Sequence, residues 1–147
     1  MGAPGVPSAA FRVTVERVVD GDTFIARRAG RSLRVRLIGI NAPESVKPGA
    51  PVECFGPESS RVLHDLLPSG ATVRAAYEDG GQRDQYGREL WDVWLGDGQF
   101  VQALLVERGA ALPRLYRPQH AYADLLAKLG DRARAQDQGL YAKCSAG

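Results

Sequence analysis

The sequence predicts an α+β chain that is mainly β, with five short strands closing a small barrel and three helices around it. Three observations carry that prediction. Apolar and polar residues alternate with period two over 11–16 and again over 33–37. The alternating runs are short and are separated by Gly-containing turn signals. Leucines at helical spacing are confined to a few segments that follow the third strand. With 147 residues the chain has the size of one domain. Five short strands leave little chain for a second sheet, so closure into an oligonucleotide-binding-type (OB) barrel is the natural way to bury them.

The elements follow in order. Residues 1–10 are Gly, Pro, Ala and Ser-rich and read as a flexible tail; residues 11–147 read as the single domain. Phe11, Val13 and Val15 alternate with Arg12, Thr14 and Glu16, as in a half-buried strand. Asp20-Gly21 is a turn signal, Thr23-Phe24-Ile25-Ala26 a second strand, and Ala29-Gly30 the next turn. Leu33, Val35 and Leu37 alternate with Arg34 and Arg36 in a third strand, and 45–51 is a Pro- and Gly-containing loop. Gly56-Pro57-Glu58 opens a helix, because proline suits the first helical position and glutamate the positive end of the dipole. Val62, Leu63, Leu66 and Leu67 share its apolar face, and Pro68 with Gly70 ends it. Strands are expected over 72–77 and 89–95, separated by the polar loop 78–88. A short helix over 100–108 stops at Gly109, and a longer one runs over 121–136 with Leu125, Leu126, Leu129 and Ala133 on one face. Trp91 and Trp94 fall on opposite faces of their strand, so one is expected in the core and the other partly exposed.

Composition narrows function only a little. No apolar run approaches the ~20 residues of a membrane span. The net charge is +2, too small to point to nucleic acid by itself. Its distribution is more telling, because Arg27, Arg28, Arg31, Arg34 and Arg36 crowd one segment. Such a cluster is a solvated face or an anion-binding surface. The N-terminal residues have no basic and apolar leader pattern, so they do not form an intact signal peptide. Cys54 and Cys144 are either unrelated thiols or a disulfide tying the C-terminal end to the body. The bond is the expectation, and with it an oxidising compartment. His64 and His120 lack the close pairing of a zinc site, and His64 is expected at the surface of its helix.

Some residues are weak signals alone and strong in combination. Asp20-Gly21-Asp22-Thr23 reads by itself as a capped turn. Arg36 by itself reads as solvent-facing, Asn41-Ala42-Pro43-Glu44 as a loop entrance, and Asp84-Gln85-Tyr86-Gly87-Arg88 as a hairpin turn. Together they bring acidic groups and arginines into a chain otherwise made of strands. Carboxylates hold hard cations and arginine forks hold phosphate, a pairing suited to metal-assisted phosphodiester cleavage.

In that ordered combination the chain resembles the staphylococcal nuclease (thermonuclease) family. The match runs from about Val13 to Tyr141 and includes Phe55-Gly56-Pro57-Glu58, Gly81-Gln82-Arg83 and Tyr116-Arg117-Pro118. The resemblance implies a five-stranded barrel with three helices, and calcium-dependent hydrolysis of DNA and RNA leaving 3′-phosphates. It implies Asp22 as the main carboxylate ligand of Ca2+, with Asn41 and the Ala42 carbonyl completing the metal set. Asp20 and Thr23 match positions near the metal. Glu44 matches the general base or the group orienting the attacking water, and Arg36 and Arg88 match the phosphate-binding arginines. Tyr86 and Tyr116 match tyrosines of the nucleotide pocket.

Two departures from the family pattern stand out. Asn41 replaces an aspartate, keeping an oxygen donor but removing one negative charge, so weaker calcium binding is expected. Arg114 replaces a pocket tyrosine, where it can stack on a base or grip a phosphate, or serve only as a surface residue. The expected protein is a secreted or cell-envelope monomer acting on nucleic acid. The rival readings are a module that binds nucleic acid or protein without cutting, and a purely structural domain.

Overall fold

The computed structural model describes residues 5–45, 49, 51–78, 83–114 and 121–144. Three strands in succession, β1 (Phe11–Asp20), β2 (Thr23–Arg28) and β3 (Arg31–Leu37), form an antiparallel meander. After the two-residue strand β4 (Ile40–Asn41), helix α1 (Gly56–Leu66) leads into β5 (Thr72–Ala76) and β6 (Glu89–Trp94). Strand β5 pairs antiparallel with both β1 and β6, and β6 runs parallel to β3, which closes the barrel in the order β1-β2-β3-β6-β5. The mainly β, five-stranded barrel expected from the alternation is therefore present.

Alternation decides which side of each strand is dry. Val15 lies opposite Ala26, Phe24 opposite Val35, and Val13 opposite Val73. All six are buried inside the barrel with Leu37, Ala75, Trp91 and Val93. Register shifts in β1 between Val15 and Arg17 and between Val18 and Asp20 bend that strand as it approaches the turn holding Asp22.

The helices cover the barrel. Helix α1 starts from Phe55 in the left-handed region, with proline in its first turn and Glu58 near its positive end. Its inward face buries Ser59, Leu63 and Leu67, while Val62 and Leu66 lie half-buried against the core. Helix α2 (Val101–Glu107) is followed by the two-residue strand β7 (Leu112–Pro113), then α3 (Ala123–Ala135) and the single turn α4 (Leu140–Lys143). Sequence periodicity misses β4, β7 and α4, because pieces this short contain no full period. Strands β4 and β7 pair Ile40 with Pro113 and Asn41 with Leu112, which fixes the chain just beyond β3.

The two tryptophans depart from expectation. They do lie on opposite faces, yet both are fully buried. Trp91 faces the barrel interior against Phe11 and Phe24, at ring separations of 5.3 and 6.4 Å. Trp94 faces outward and is covered by the helical layer, stacked on Phe100 at 5.2 Å and meeting Tyr122 edge-on at 6.0 Å. A strand sandwiched between a barrel core and packed helices has no wet face.

Cys54 and Cys144 form a disulfide joining the approach to α1 to the end of α4, across 90 residues. Closing a loop of that length stabilises by roughly 4 kcal/mol in the chain-entropy account. Among the described residues no helix is long and apolar enough to cross a membrane.

Candidate active site

The site forms where three connections meet: the β1–β2 turn, the segment after β3, and the turn before β6. Asp22 lies in the first. Its Oδ1 accepts from the Thr23 hydroxyl at 3.0 Å, and its Oδ2 accepts from the Ala42 amide at 2.8 Å. Oδ2 is also 3.3 Å from Nη2 of Arg36. The same Nη2 donates to Asn41 Oδ1 at 3.3 Å, while Nη1 donates to the Leu37 carbonyl at 2.6 Å. Asp22, Arg36, Asn41 and Ala42 thus make one compact polar cluster.

Arg36 corrects the solvent-facing reading: only 8% of it is exposed. Strand alternation does turn it outward, but the Asp22 turn and the Asn41 segment fold over its head. A buried guanidinium needs such partners, and Asp22 neutralises it.

Gly21 allows this closeness. A Cβ there would come within 2.7 Å of the Ala42 Cβ and 2.9 Å of the Ser59 Cβ. Ser59 is itself fixed, because its hydroxyl donates to the Ala110 carbonyl at 2.6 Å. Asp20 Oδ1 accepts from the Gly21 amide at 3.0 Å and from the Ser45 hydroxyl at 2.5 Å, holding the residue after Glu44.

Glu44 is half-buried and its backbone is clamped at two points. Its amide donates to Glu53 Oε1 at 2.7 Å, and its carbonyl accepts from the Glu53 amide at 2.9 Å. A Cβ on Gly56 would lie 2.4 Å from that same carbonyl, so the start of α1 sits directly against this segment. Sequence reading did not single out Glu53, because a lone exposed glutamate before a cysteine carries no spacing signal.

Arg88 and Tyr86 come from the turn before β6. Asp84 organises it: Oδ1 accepts from the Tyr86 and Arg88 amides, both at 2.9 Å, and Oδ2 pairs with Arg88 Nε at 2.6 Å. Burial pushes the Asp84 carboxyl up, but the hydrogen bonds from Arg88 and Tyr86 outweigh that and hold it below the ordinary carboxylate value. The Arg88 guanidinium lies 5.5 Å over the Tyr86 ring, which is itself 74% exposed. Arg36, Tyr86 and Arg88 line one cavity of about 430 Å³, with Leu37, Ile38, Asp84, Gln85 and Leu90. Arg36 is therefore shared by the cavity and the oxygen cluster.

The remaining candidates lie elsewhere. Arg114 is exposed, donates its amide to the Gly39 carbonyl at 2.8 Å, and lines a separate cavity of about 280 Å³ against α3. The two cavities flank the turn after β3, with Ile38 in one and Gly39 in the other. Tyr116 lies outside the described residues, as do Arg117 and His120. His64 is at the helix surface, as expected. Gln102 on α2 was also missed by sequence reading. Fully buried, it donates to the Ile38 and Trp91 carbonyls at 3.3 and 3.1 Å and accepts from the Val93 amide at 3.3 Å. It thereby ties the segment leaving β3 to β6.

The donor chemistry suits a hard cation. Asp22 and Asn41 offer carboxylate and amide oxygens, and both cysteines are committed to the disulfide. The place where these oxygens converge already accommodates a cationic group, the Arg36 Nη2. The charge is modest: among the described residues no three His, Cys, Asp or Glu side chains gather as a metal-binding group.

The family model for staphylococcal nuclease homologues matches residues 34–143. The chain belongs to the staphylococcal nuclease family. A thermonuclease of Staphylococcus intermedius is 38% identical over 127 residues, covering 86% of this chain and 74% of the relative. One from Staphylococcus hyicus is 39% identical over 126 residues, covering 86% and 70%. The SPbeta prophage-derived endonuclease YokF of Bacillus subtilis is 33% identical over 132 residues, covering 89% of this chain but 44% of the relative. Within this staphylococcal nuclease fold, the segment before residue 34, which contains Asp22, lies outside the matched family model.

Proposed function

We propose that this chain is a calcium-dependent endonuclease that hydrolyses phosphodiester bonds of DNA and RNA and leaves 3′-phosphates. The observation that carries the reading is the position of Arg36, which contacts both the Asp22–Asn41 oxygens and the cavity of Arg88 and Tyr86. A phosphodiester gripped in that cavity would lie beside a cation held by those oxygens. The relatives named as thermonucleases and endonucleases support the same chemistry.

In this reading Asp22 Oδ2, Asn41 Oδ1 and the Ala42 carbonyl would hold the calcium. When bound, that ion supplies Lewis-acid stabilisation and neutralises the phosphate's charge. The chain's own residues do the rest. Arg36 and Arg88 hold phosphate oxygens with their planar, bidentate forks. Arg36, which now contacts Asp22 and Asn41, would turn its guanidinium toward the phosphate when those oxygens serve the metal. Glu44 orients a water and takes its proton as the oxygen attacks phosphorus. The bond from phosphorus to the 5′-oxygen breaks, that oxygen takes a proton from solvent water, Glu44 returns its proton to solvent, and phosphate remains on the 3′-side. Tyr86 packs against the nucleotide on the open side of the cavity.

Cleavage of single-stranded DNA and RNA with calcium and with chelator, followed by end-group analysis, tests this reading. Arg88→Ala and Glu44→Ala should each cut turnover by about a hundredfold or more while leaving the fold intact. Wild-type turnover in either variant would contradict the assignment.

One observation favours the alternative, a module that binds without cutting. Asn41 contributes no charge, and both Asp22 oxygens are engaged by protein donors. Binding without cleavage at saturating calcium would select it. The disulfide supports secretion or a place in the cell envelope. In this reading the chain acts as a monomer.

A further inference from the structure

We propose that the outward face of β5, β1, β2 and β3 is a binding track for the phosphate backbone of single-stranded nucleic acid, leading to Arg36. The proposal rests on the nuclease reading for its polymer and extends it beyond the cavity. Cross-strand register puts the track together. Arg12 is directly opposite Arg74, Thr14 opposite Arg27, and Ile25 opposite both Arg17 and Arg34. Directly opposed residues share a face, and so do residues two apart on one strand. Arg12, Arg17, Arg27, Arg34 and Arg74 therefore lie on the outer surface of the barrel wall, as Arg36 does, spaced round it from β5 to β3.

The alternative explanation, an ordinary solvated face, fits poorly. Like charges directly opposite each other destabilise an antiparallel pair, and Arg12 and Arg74 are such a pair. The acids on these strands relieve the crowding only at Arg27. Of the two on these four strands, Asp20 is buried at the site. Glu16 is engaged by the Ser32 hydroxyl at 2.9 Å and Arg27 at 3.5 Å. Arg28 shows what an arginine without this role does: it turns to the other side and lies 3.7 Å over the Phe11 ring. Arg12, Arg17, Arg27 and Arg34 are exposed. Followed round the closed wall, the three steps between these four strands make an arc of about 14 Å at ~4.8 Å per step. A flexible single strand curving with the wall would set its phosphates against the arginines along that arc, and its charge would relieve the repulsion.

Binding of a fluorescent single-stranded dodecamer and a trinucleotide, in chelator and across a salt series, tests the track. The comparison is wild type against the triple variant Arg12→Gln, Arg34→Gln, Arg74→Gln. Dodecamer affinity should fall about tenfold or more, and the salt dependence should become shallower by about 0.7 per lost contact. Trinucleotide binding and cleavage of a dinucleotide should stay within twofold. The free variant should melt at the same temperature or higher, because repulsion has been removed. Replacing the same three arginines by lysine should restore dodecamer binding. Unchanged dodecamer affinity and salt slope would overturn the proposal, as would an equal loss for both ligands. Wild-type protein that cleaves nothing in calcium would defeat the nuclease reading, while its length-dependent binding would still decide the track.

Discussion

Asn41 sets the charge of the candidate metal cluster. Its amide oxygen meets the same guanidinium nitrogen as Asp22, so an aspartate there would put two carboxylates at the convergence point. Asn41→Asp should shift the calcium dependence of cleavage to lower concentration by about tenfold, and a titration midpoint that does not move would remove Asn41 from the metal set. Asp92 is a second consequential residue, on the far side of the barrel wall. Burial raises its carboxyl far above the ordinary value, reinforced by a hydrogen bond and charge from Glu78. A carboxyl with a raised folded pKa contributes stability at low pH and loses it as pH climbs from its unfolded value toward its folded one. Asp92→Asn should therefore melt increasingly above wild type from about pH 4 to pH 8. A gap independent of pH would show that Asp92 is already ionised at neutral pH.

The elements matter because short connections, not long helices, carry the site. The β1–β2 turn, the β4–β7 pair and the start of α1 are locked together through Gly21, Ala42, Ser59 and Gly56. Gly21→Ala should force Ala42 and Ser59 apart, costing about 1–3 kcal/mol and lowering Tm by several degrees. The same change should weaken calcium binding; an unchanged Tm would mean that the segment yields freely. At this scale the sequence is legible where periods are long enough to count. All five barrel strands and the three longer helices were legible, two strands by alternation, two helices by leucine spacing, and the rest from the turn and loop signals that bound them. Strands β4 and β7 were not, since two residues make no pattern and their pairing is a long-range event. The Arg36 burial and the dry outer face of Trp94 were hidden because part of what covers each, Asp22 over Arg36 and Tyr122 over Trp94, comes from other elements. The Asp84–Arg88 clamp was legible as a turn, but not as the device that fixes a guanidinium on a cavity wall. The Glu53 clamp left no mark in the sequence, because its partner is a backbone amide.

The whole molecule joins a barrel, a helical layer and one covalent tie. The Cys54–Cys144 bond anchors the end of α4 beside Glu53, and so beside the backbone of Glu44. Reducing it should lower Tm by about 10 °C or more, from a loss of roughly 3–5 kcal/mol, and equal melting of oxidised and reduced protein would contradict that contribution. In the proposed function, cation and phosphate meet at Arg36, between the Asp22–Asn41 oxygens and the Arg88–Tyr86 cavity. Binding of the two must then be coupled, each strengthening the other by the same factor. The most direct measurement is calorimetric titration of a mononucleotide with and without calcium. The account predicts binding about tenfold tighter or more with calcium, with the gain abolished in Asp22→Ala. Mononucleotide affinity that is the same with and without the ion would contradict it.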